Sequence, residues 1–276
     1  MPAPDRYAVI GHPIAHSRSP QIHALFARQT AQNMSYGAID IAPAELAARL
    51  HEFLAGGGRG LNVTVPHKQA VLPLAARLSE RARVAGAANT LIADPAGLLA
   101  DNTDGAGLVR DLTHNLGIAL RARRVLLLGA GGAARGVLAP LLELQPRELV
   151  IANRSAERAE ALAGAFAARG PVRGLGLTQL GGAHFDLIVN ATAASLHGEL
   201  PDVTADVIGT KTICYDLVYA DQDTRFVRWA REHGAARAHM GLGMLVEQAA
   251  ESFFLWRGVR PDTAAVLAAL NGRPAH

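Results

Sequence analysis

The sequence Val125-Leu-Leu-Leu-Gly-Ala-Gly-Gly-Ala-Ala-Arg135 decides the fold of this chain. Its apolar residues predict a buried strand and the alanine-rich run behind the glycines predicts a helix, so the glycines form a strand-to-helix turn. Gly129 would allow the tight turn, and Gly131 would let the backbone approach a pyrophosphate at the helix N-terminus. This context predicts a dinucleotide site that includes Gly129, Ala130, Gly131, Gly132 and Ala133.

The spacing of these glycines leaves an alternative open. Gly132 comes early for the usual G-x-G-x-x-G pattern, and Ala134 takes the place of the third glycine. The turn is therefore also compatible with a tight connection that binds no ligand.

The end of the next strand favours a particular ligand. It reads Asn153-Arg154-Ser155, and Arg158 follows one helical turn beyond Arg154. A carboxylate here would hydrogen-bond the ribose hydroxyls of NAD, whereas two guanidiniums attract a 2′-phosphate and can bind it bidentately. The sequence thus favours NADP(H) over NAD. The alternative is that Arg158 is merely solvated beside Glu157.

Helical and strand signals alternate along most of the chain, which predicts an α/β fold with largely parallel sheets. Predicted strands lie at 7–10, 61–65, 125–128, 149–152, 172–175, 187–190 and 212–217, with a hairpin over 90–100. Predicted helices lie at 19–29, from 43 to 56, 69–85, 133–144, 155–168 and from 241 onward.

A chain of 276 residues is expected to form two domains. The boundaries are expected near residues 105 and 240. We expect the closing helices to pack back on the first part of the chain. A discontinuous α/β domain would then comprise residues 1–104 and 240–276, and a Rossmann-type doubly wound domain would comprise residues 105–239.

Composition narrows the function classes. The chain has 27 basic and 24 acidic side chains, a formal charge of +3 and no dense Lys/Arg run, so nucleic acid is not an expected partner. The single cysteine, Cys214, excludes an internal disulfide and is expected to be a buried structural thiol. No segment has the ~20 apolar residues of a membrane span, and a cytoplasmic protein is expected. The histidine spacings predict no metal site.

Two further segments carry polar groups where strands end. Asn62-Val-Thr-Val-Pro-His-Lys68 ends in an amine, and Asp101-Asn-Thr-Asp-Gly105 offers a carboxylate. If Lys68 and Asp104 meet in the fold, the ammonium can donate a proton to a developing alkoxide and take it back in the reverse direction. The alternative is a surface lysine and an aspartate that caps the next helix.

A third segment, His16-Ser-Arg-Ser-Pro20, holds two hydroxyls. On an extended backbone, residues two apart face the same side, so Ser17 and Ser19 could bind one carboxylate. The alternative is that Ser19 caps the helix that begins at Pro20.

In combination, these motifs make the chain similar to the shikimate dehydrogenase family from Tyr7 to about Leu270. The motifs that carry the resemblance are His16-Ser-Arg-Ser-Pro20, Asn62-Val-Thr-Val-Pro-His-Lys68, Gly86-Ala-Ala-Asn-Thr90, Asn102-Thr-Asp-Gly105, Gly129-Ala-Gly-Gly-Ala-Ala-Arg135, Asn153-Arg-Ser155 and Gly241-Leu-Gly-Met-Leu-Val-Glu-Gln248.

The resemblance implies reversible reduction of 3-dehydroshikimate to shikimate by NADPH, in a cleft between the two domains, by a monomer or homodimer. It implies Lys68 as the catalytic acid and base, assisted by Asp104. Implied substrate contacts are Ser17, Ser19, Asn62, Thr64, Asn89, Thr103, Tyr219 and Gln248. Implied cofactor contacts are Glu80, the turn Gly129–Ala133, Asn153, Arg154, Ser155, Arg158, Leu217 and Gly241.

One stretch departs from the family pattern. Ala193, Ala194 and Ser195 stand where the family often carries Ser/Pro and Gly, on the nicotinamide side of the expected site. Two rival functions also stay open. A quinate/shikimate dehydrogenase would prefer NAD and show an acidic residue near Arg154. A catalytically idle ligand sensor would be expected to lose Lys68 or Asp104.

Overall fold

A computed structural model describes residues 2–271, so Met1 and residues 272–276 of the expected first domain lie outside the described part. The chain divides into two compact units. The first unit comprises the chain up to Leu108 and from Leu245 onward, and the second comprises Val109–Met244. Both divisions fall within helices, a few residues beyond the boundaries expected from the sequence.

The elements of the described chain begin with β1 (Asp5–Gly11), α1 (Ser19–Gln29), β2 (Met34–Asp40), α2 (Leu46–Ala55), β3 (Gly58–Val63), β4 (Arg77–Leu78), α3 (Glu80–Ala85), β5 (Thr90–Asp94), β6 (Gly97–Asp101) and α4 (Asp104–Arg110). They continue with β7 (Arg124–Leu128), α5 (Gly132–Glu143), β8 (Glu148–Asn153), α6 (Ala156–Phe166), β9 (Val172–Gly176), β10 (Phe185–Asn190), β11 (Ile208–Asp216), α7 (Arg225–Glu232), β12 (Arg237–Met240), α8 (Leu242–Arg257) and α9 (Thr263–Leu270).

The sheet of the first unit is mixed and has the order β2-β1-β3-β5-β6-β4. Strands β1, β2 and β3 are parallel, while β5 runs antiparallel to both β3 and β6. The register pairs Asn62 with Thr90 and Thr90 with Asp101. As a result, the carboxyl ends of β1, β3 and β6 and the start of β5 share one sheet edge.

Apolar packing fixes the elements of this unit. Leu46 and Leu50 of α2 are buried in one cluster with Ile10, Leu61 and Leu91 of the sheet. A second cluster joins three helices through Ile22 and Phe26 of α1, Val246, Ala249 and Phe253 of α8, and Val266 of α9. The segment that carries Gln248 is therefore packed against α1 within the first unit.

The sheet of the second unit has the order β12-β11-β10-β7-β8-β9, and every pair in it is parallel. This is the doubly wound order, in which ligands bind outside the carboxyl ends of the strands where the order reverses. The reversal lies between β7 and β10, so the glycine turn that follows Leu128 stands at that point. The predicted α/β class is confirmed, and the all-parallel arrangement holds for this second sheet alone.

The helix predicted over residues 69–85 is wrong. The segment contains turns, a short 3₁₀ turn at Leu72–Leu74, the strand β4 and the helix α3. Pro73 lacks an N–H and disfavours a continuous helix. Ser79 then begins a new helix, because its hydroxyl accepts the backbone N–H of Ala82 at 3.1 Å.

Several elements were not predicted from the sequence. Strand β2 is an edge strand whose side chains are all at least partly exposed, so it lacks the apolar run that marks a buried strand. Strand β12 is an edge strand of the second sheet and has only four residues. The helix α7 has eight residues, too few for a clear repeat, whereas α9 lies within the helical region predicted from residue 241 onward.

Within residues 2–271, no helix is both long enough and apolar enough to cross a membrane.

Candidate functional site

Lys68 and Asp104 meet in the first unit. Lys68 lies in the turn that follows β3, and Asp104 is the first residue of α4, which follows β6. The Lys68 Nζ is 2.6 Å from the Asp104 Oδ2, and the two side chains are only 14% and 5% exposed. The topology explains the contact, since β3 and β6 end at the same edge of the sheet.

The Asp104 carboxylate is held on both oxygens. Its Oδ2 contacts Lys68, and its Oδ1 accepts the Asn89 side-chain amide at 2.9 Å. The backbone N–H of Asp104 donates to the Asn102 side-chain oxygen at 3.1 Å. Asp104 therefore does not act as a simple helix cap, because its carboxylate is engaged by two side chains that come from other strand ends.

Asn89 links the pair to α8. Its amide nitrogen lies 2.9 Å from the Gln248 Oε1 and 2.9 Å from the Thr103 Oγ1, while its Oδ1 accepts the backbone N–H of Thr103 at 2.8 Å. Asn89 is only 2% exposed. A buried amide with every polar atom engaged has a single orientation, so it fixes the groups that it contacts.

Sequence reasoning missed Ser252, which lies behind Asn89. The Ser252 hydroxyl lies 2.7 Å from the Thr90 Oγ1 and 3.1 Å from the Thr103 Oγ1, and it accepts the Asn62 amide at 3.0 Å. Asn62 in turn accepts the Tyr36 hydroxyl at 2.7 Å. We call Asn62, Lys68, Asn89, Thr90, Thr103, Asp104, Gln248 and Ser252 the polar cluster. Ser252 could have been found from the sequence, because it lies one helical turn beyond Gln248 on the predicted helix.

Ser17 and Ser19 lie together, but not on an extended backbone. Arg18 between them has helical angles (φ −84°, ψ −4°), and Ser19 is already the first residue of α1. The Ser17 hydroxyl accepts the Ser19 backbone N–H at 3.3 Å. The predicted extended geometry and the predicted capping role of Ser19 are both wrong. The helix begins at Ser19, one residue before the predicted start at Pro20, and Pro20 is compatible with a position in its first turn.

Thr64 follows β3 at the same sheet edge. Its Cγ2 would lie only 2.5 Å from a Cβ added at Gly11, the last residue of β1. Only glycine leaves room for the Thr64 side chain at this strand end, a requirement that the sequence alone did not reveal.

The glycine turn of the second unit has the predicted conformation. Gly129 adopts φ +104°, a left-handed region that favours glycine, and its N–H donates to the Ala152 carbonyl at 2.7 Å. Gly131 is the N-cap of α5, and a Cβ added there would meet no atom within 4 Å. No side chain of the described chain caps α5. The backbone N–H groups near Gly132 and Ala133 are therefore available to hydrogen-bond a ligand in the space in front of Gly131. A pyrophosphate fits this turn.

The end of β8 presents two exposed guanidiniums. Arg154 and Arg158 form no ion pair within residues 2–271. The Glu157 carboxylate accepts the Ser155 hydroxyl at 2.7 Å, which lowers the pKa of Glu157, and does not pair with Arg158. Ser155 also caps α6 by accepting the Arg158 N–H at 3.3 Å, and Asn153 donates to the Ser155 carbonyl at 3.0 Å. Both arginines are thus free to bind a phosphate.

Leu217 and Gly241 also come together in the second unit. A Cβ at Gly241 would lie 2.3 Å from the Leu217 carbonyl oxygen, and the Gly241 N–H donates to the Val218 carbonyl at 3.1 Å. Tyr219 follows at the same strand end and is half-buried. Glu80 is different: it lies in the first unit at the start of α3, where it is exposed and pairs with Arg83 at 2.5 Å. A cofactor contact for Glu80 stays a prediction.

The described residues form neither a metal-binding group nor a reactive thiol. Among residues 2–271, no group of three or more His, Cys, Asp or Glu side chains could hold a metal ion. Cys214 is fully buried, and this burial raises the pKa of its thiol to about 12. Such a thiol stays protonated and unreactive, as expected for a structural cysteine.

Three family models match successive parts of the chain. Residues 9–91 match the shikimate dehydrogenase substrate binding domain, and residues 111–198 match shikimate / quinate 5-dehydrogenase. Residues 241–270 match the shikimate 5′-dehydrogenase C-terminal domain.

Full-length relatives are similar as well. A shikimate dehydrogenase (NADP(+)) of Alkalilimnicola ehrlichii is 55% identical over 267 residues, which cover 97% of this chain and 98% of that protein. The crystal structure of an Ael1 enzyme from Pseudomonas putida superposes with a TM-score of 0.88 at 49% identity, covering 99% of each chain. The Thermus thermophilus shikimate 5-dehydrogenase in complex with NADP(H) and shikimate has a TM-score of 0.86 at 35% identity, covering 97% of this chain and 99% of that one.

Proposed function

Because this chain belongs to the shikimate dehydrogenase family, we propose that it catalyses the reversible NADPH-dependent reduction of 3-dehydroshikimate to shikimate. It is then an oxidoreductase that acts on a secondary alcohol. The observation that supports this most directly is the 2.6 Å contact of Lys68 with Asp104 inside the polar cluster. A buried lysine held by a carboxylate is a proton donor in a fixed place, which carbonyl reduction requires.

Lys68 is the proposed catalytic residue. Its ammonium donates a proton to the carbonyl oxygen as the carbonyl is reduced, and the amine takes a proton back in the direction of shikimate oxidation. Asp104 keeps the ammonium in place and balances its charge. Bound NADPH supplies the hydride.

The proposed substrate contacts fall into three groups. Asn89, Thr64 and Gln248 are assigned to the ring hydroxyls of the substrate. Asn89 contacts Asp104 directly, whereas in the described chain Asn62 and Thr103 hydrogen-bond Asn89 and neither Lys68 nor Asp104. We therefore assign Asn62 and Thr103 the task of holding Asn89 in place. Ser17 and Ser19, with Tyr219, are assigned to the substrate carboxylate.

The proposed cofactor contacts follow the carboxyl edge of the second sheet. The N–H groups of the turn Gly129–Ala133 bind the pyrophosphate, supported by the open space at Gly131. The segment from Asn153 to Arg158 binds the 2′-phosphate through Arg154 and Arg158, with Ser155 as a capping hydroxyl. Leu217 and Gly241 would complete the cofactor contacts at this edge. On this proposal the first unit is the substrate-binding domain and the second is the NADP-binding domain.

An assay that crosses two substrates with two cofactors tests the proposal. We expect the purified protein to oxidise shikimate with NADP much faster than any other combination of shikimate or quinate with NADP or NAD. Preference for quinate with NAD would replace the proposal with a quinate/shikimate dehydrogenase, a reading that Arg154 disfavours. Binding of NADPH without any turnover would identify an idle sensor, although both Lys68 and Asp104 are present.

The proposal includes a cytoplasmic location and a monomer or homodimer as the working form. Light scattering coupled to gel filtration distinguishes the two assemblies.

A further inference from the structure

Asp216 is a buried carboxylate that no step of the proposed reaction uses. It ends β11, directly before Leu217, and is fully buried. Its Oδ2 accepts the Ser195 hydroxyl at 2.6 Å and the Thr224 hydroxyl at 2.7 Å. Its Oδ1 accepts the Asn190 amide at 3.1 Å and the Val218 backbone N–H at 3.2 Å.

Neutral donors alone hold this carboxylate in the described chain. Within residues 2–271, Asp216 forms no ion pair with a lysine or arginine. Burial raises the pKa of the Asp216 carboxyl, and the hydrogen bonds from Ser195, Thr224, Val218 and Asn190 act in the opposite direction. A buried carboxylate is costly to leave without its hydrogen bonds, so each donor restrains the segment that carries it.

The four donors come from two connections at one end of the sheet. Asn190 ends β10, and Ser195 lies in the short helical turn Ala194–His197 that follows. Val218 belongs to the connection after β11, and Thr224 is the N-cap of α7. The carboxyl edge of such a sheet is where a dinucleotide binds. Asp216 thus ties together the segments that surround Leu217 on this edge.

Ser195 lies in the connection between β10 and β11. Ala193 and Ala194 before it offer no polar side chain, and Leu196 after it is 56% exposed. Within the loop, the Asn190 Oδ1 accepts the backbone N–H of Thr192 at 3.1 Å. The Thr192 hydroxyl accepts the Ala194 N–H at 3.3 Å. The Ser195 hydroxyl accepts the Asn190 amide at 3.2 Å and donates to Asp216, which joins the loop to the end of β11.

We propose that Ser195 and Asp216 are positioning residues that fix the loop after β10 and the Leu217 backbone around the nicotinamide end of NADPH. This inference rests on the proposed function. It gives the Ala193-Ala194-Ser195 stretch a structural role, because the serine hydroxyl joins this loop to Asp216 at the end of β11.

The test compares Ser195→Ala with Ser195→Thr, which keeps the hydroxyl, and with Thr204→Ala. Thr204 is an exposed residue of the same unit whose hydroxyl also donates to a carboxylate, that of Asp206. Calorimetry gives the affinity of each variant for NADPH and for adenosine 2′,5′-bisphosphate, which lacks the nicotinamide. The fluorescence emission of bound NADPH reports the surroundings of the nicotinamide ring, and turnover with shikimate completes the set.

We expect Ser195→Ala to bind adenosine 2′,5′-bisphosphate as the unmodified protein does, but to change the emission of bound NADPH and to lower kcat about tenfold. Ser195→Thr and Thr204→Ala should keep the original emission and kcat. The inference is overturned if Ser195→Ala keeps both values, or if it weakens both ligands equally. Because the emission needs no turnover, a failure of the proposed reaction is distinguished from a failure of the loop assignment.

Discussion

The two units use polar residues in opposite ways. In the first unit, the polar cluster is closed: Asn89, Thr103 and Ser252 are buried and satisfy one another. In the second unit, the groups assigned to the cofactor are open, with Arg154 and Arg158 exposed and empty space beside Gly131. This difference matches the two tasks. A group that transfers a proton is held in one orientation before the substrate binds, whereas a large anionic ligand is bound by exposed cations and free backbone N–H groups.

The difference has an energetic reason. A buried hydrogen-bonded cluster holds its orientation without rearranging during the reaction, which is the condition for effective electrostatic and acid–base catalysis. An exposed arginine gains little from a surface ion pair, and it stays available for the bidentate contact with a phosphate. Asp216 of the second unit differs from these open groups, since it is buried and hydrogen-bonded on both oxygens, like the first unit's cluster.

The largest effect is expected from breaking the closed cluster at its reacting group. Lys68→Ala should lower kcat by roughly 10²–10⁴, the usual scale for loss of general acid–base catalysis, with little change in the KM for shikimate. The chain's other lysine, Lys211, is exposed and provides the matched control. Steady-state assays of Lys68→Ala and Lys211→Ala measure the difference, and equal rates for the two variants would remove Lys68 from the mechanism.

A smaller effect is expected from the open region. Arg154→Ser should raise the KM for NADPH about tenfold to hundredfold and leave the KM for NADH nearly unchanged, because only NADPH carries the 2′-phosphate. Arg147→Ser alters an exposed arginine just before the opposite end of β8 and should change neither value. Equal losses for both cofactors in Arg154→Ser would contradict the phosphate contact.

The sequence predicted the second sheet well, because strands buried on both faces leave long apolar runs such as Val125–Leu128. It predicted the first unit less well. Strand β2 and the Ser79 helix start carry no such signal, and the pairing that places Asn62 beside Thr90 depends on contacts across the sheet.

The residues of the candidate site were also predicted only in part. The motifs identified Lys68, Asp104 and the arginines, since their chemistry is visible in the residue type. Ser252 and Asp216 were missed as members of hydrogen-bond networks, because their partners lie far away in the chain and a lone serine or aspartate in a regular element carries no distinguishing pattern.

The smallest effect is expected from a substitution at the buried residue Asp216. Burial raises the pKa of Asp216, so the native protein binds this proton more tightly than the unfolded chain does. The resulting stability is present at low pH and is lost as the pH rises through the native pKa. Asp216→Asn should therefore melt at a slightly higher temperature than the unmodified protein near neutral pH, and the gain should shrink on acidification.

Thermal melts across pH measure this effect, with Asp206→Asn as the control. Asp206 is exposed and its pKa is lowered by the Thr204 hydroxyl, so this variant should show no gain at neutral pH. A lower melting temperature for Asp216→Asn near neutral pH would mean that its hydrogen bonds outweigh the burial of its charge.

The most direct test of the account is a double-mutant cycle on Lys68 and Asp104. The measured quantity is kcat for Lys68→Ala, Asp104→Ala and the double variant. If the two side chains act as one acid–base unit, the double variant should lose about as much as Lys68→Ala alone. Losses that simply multiply would mean that the two residues act independently, and the 2.6 Å contact between them would have no part in proton transfer.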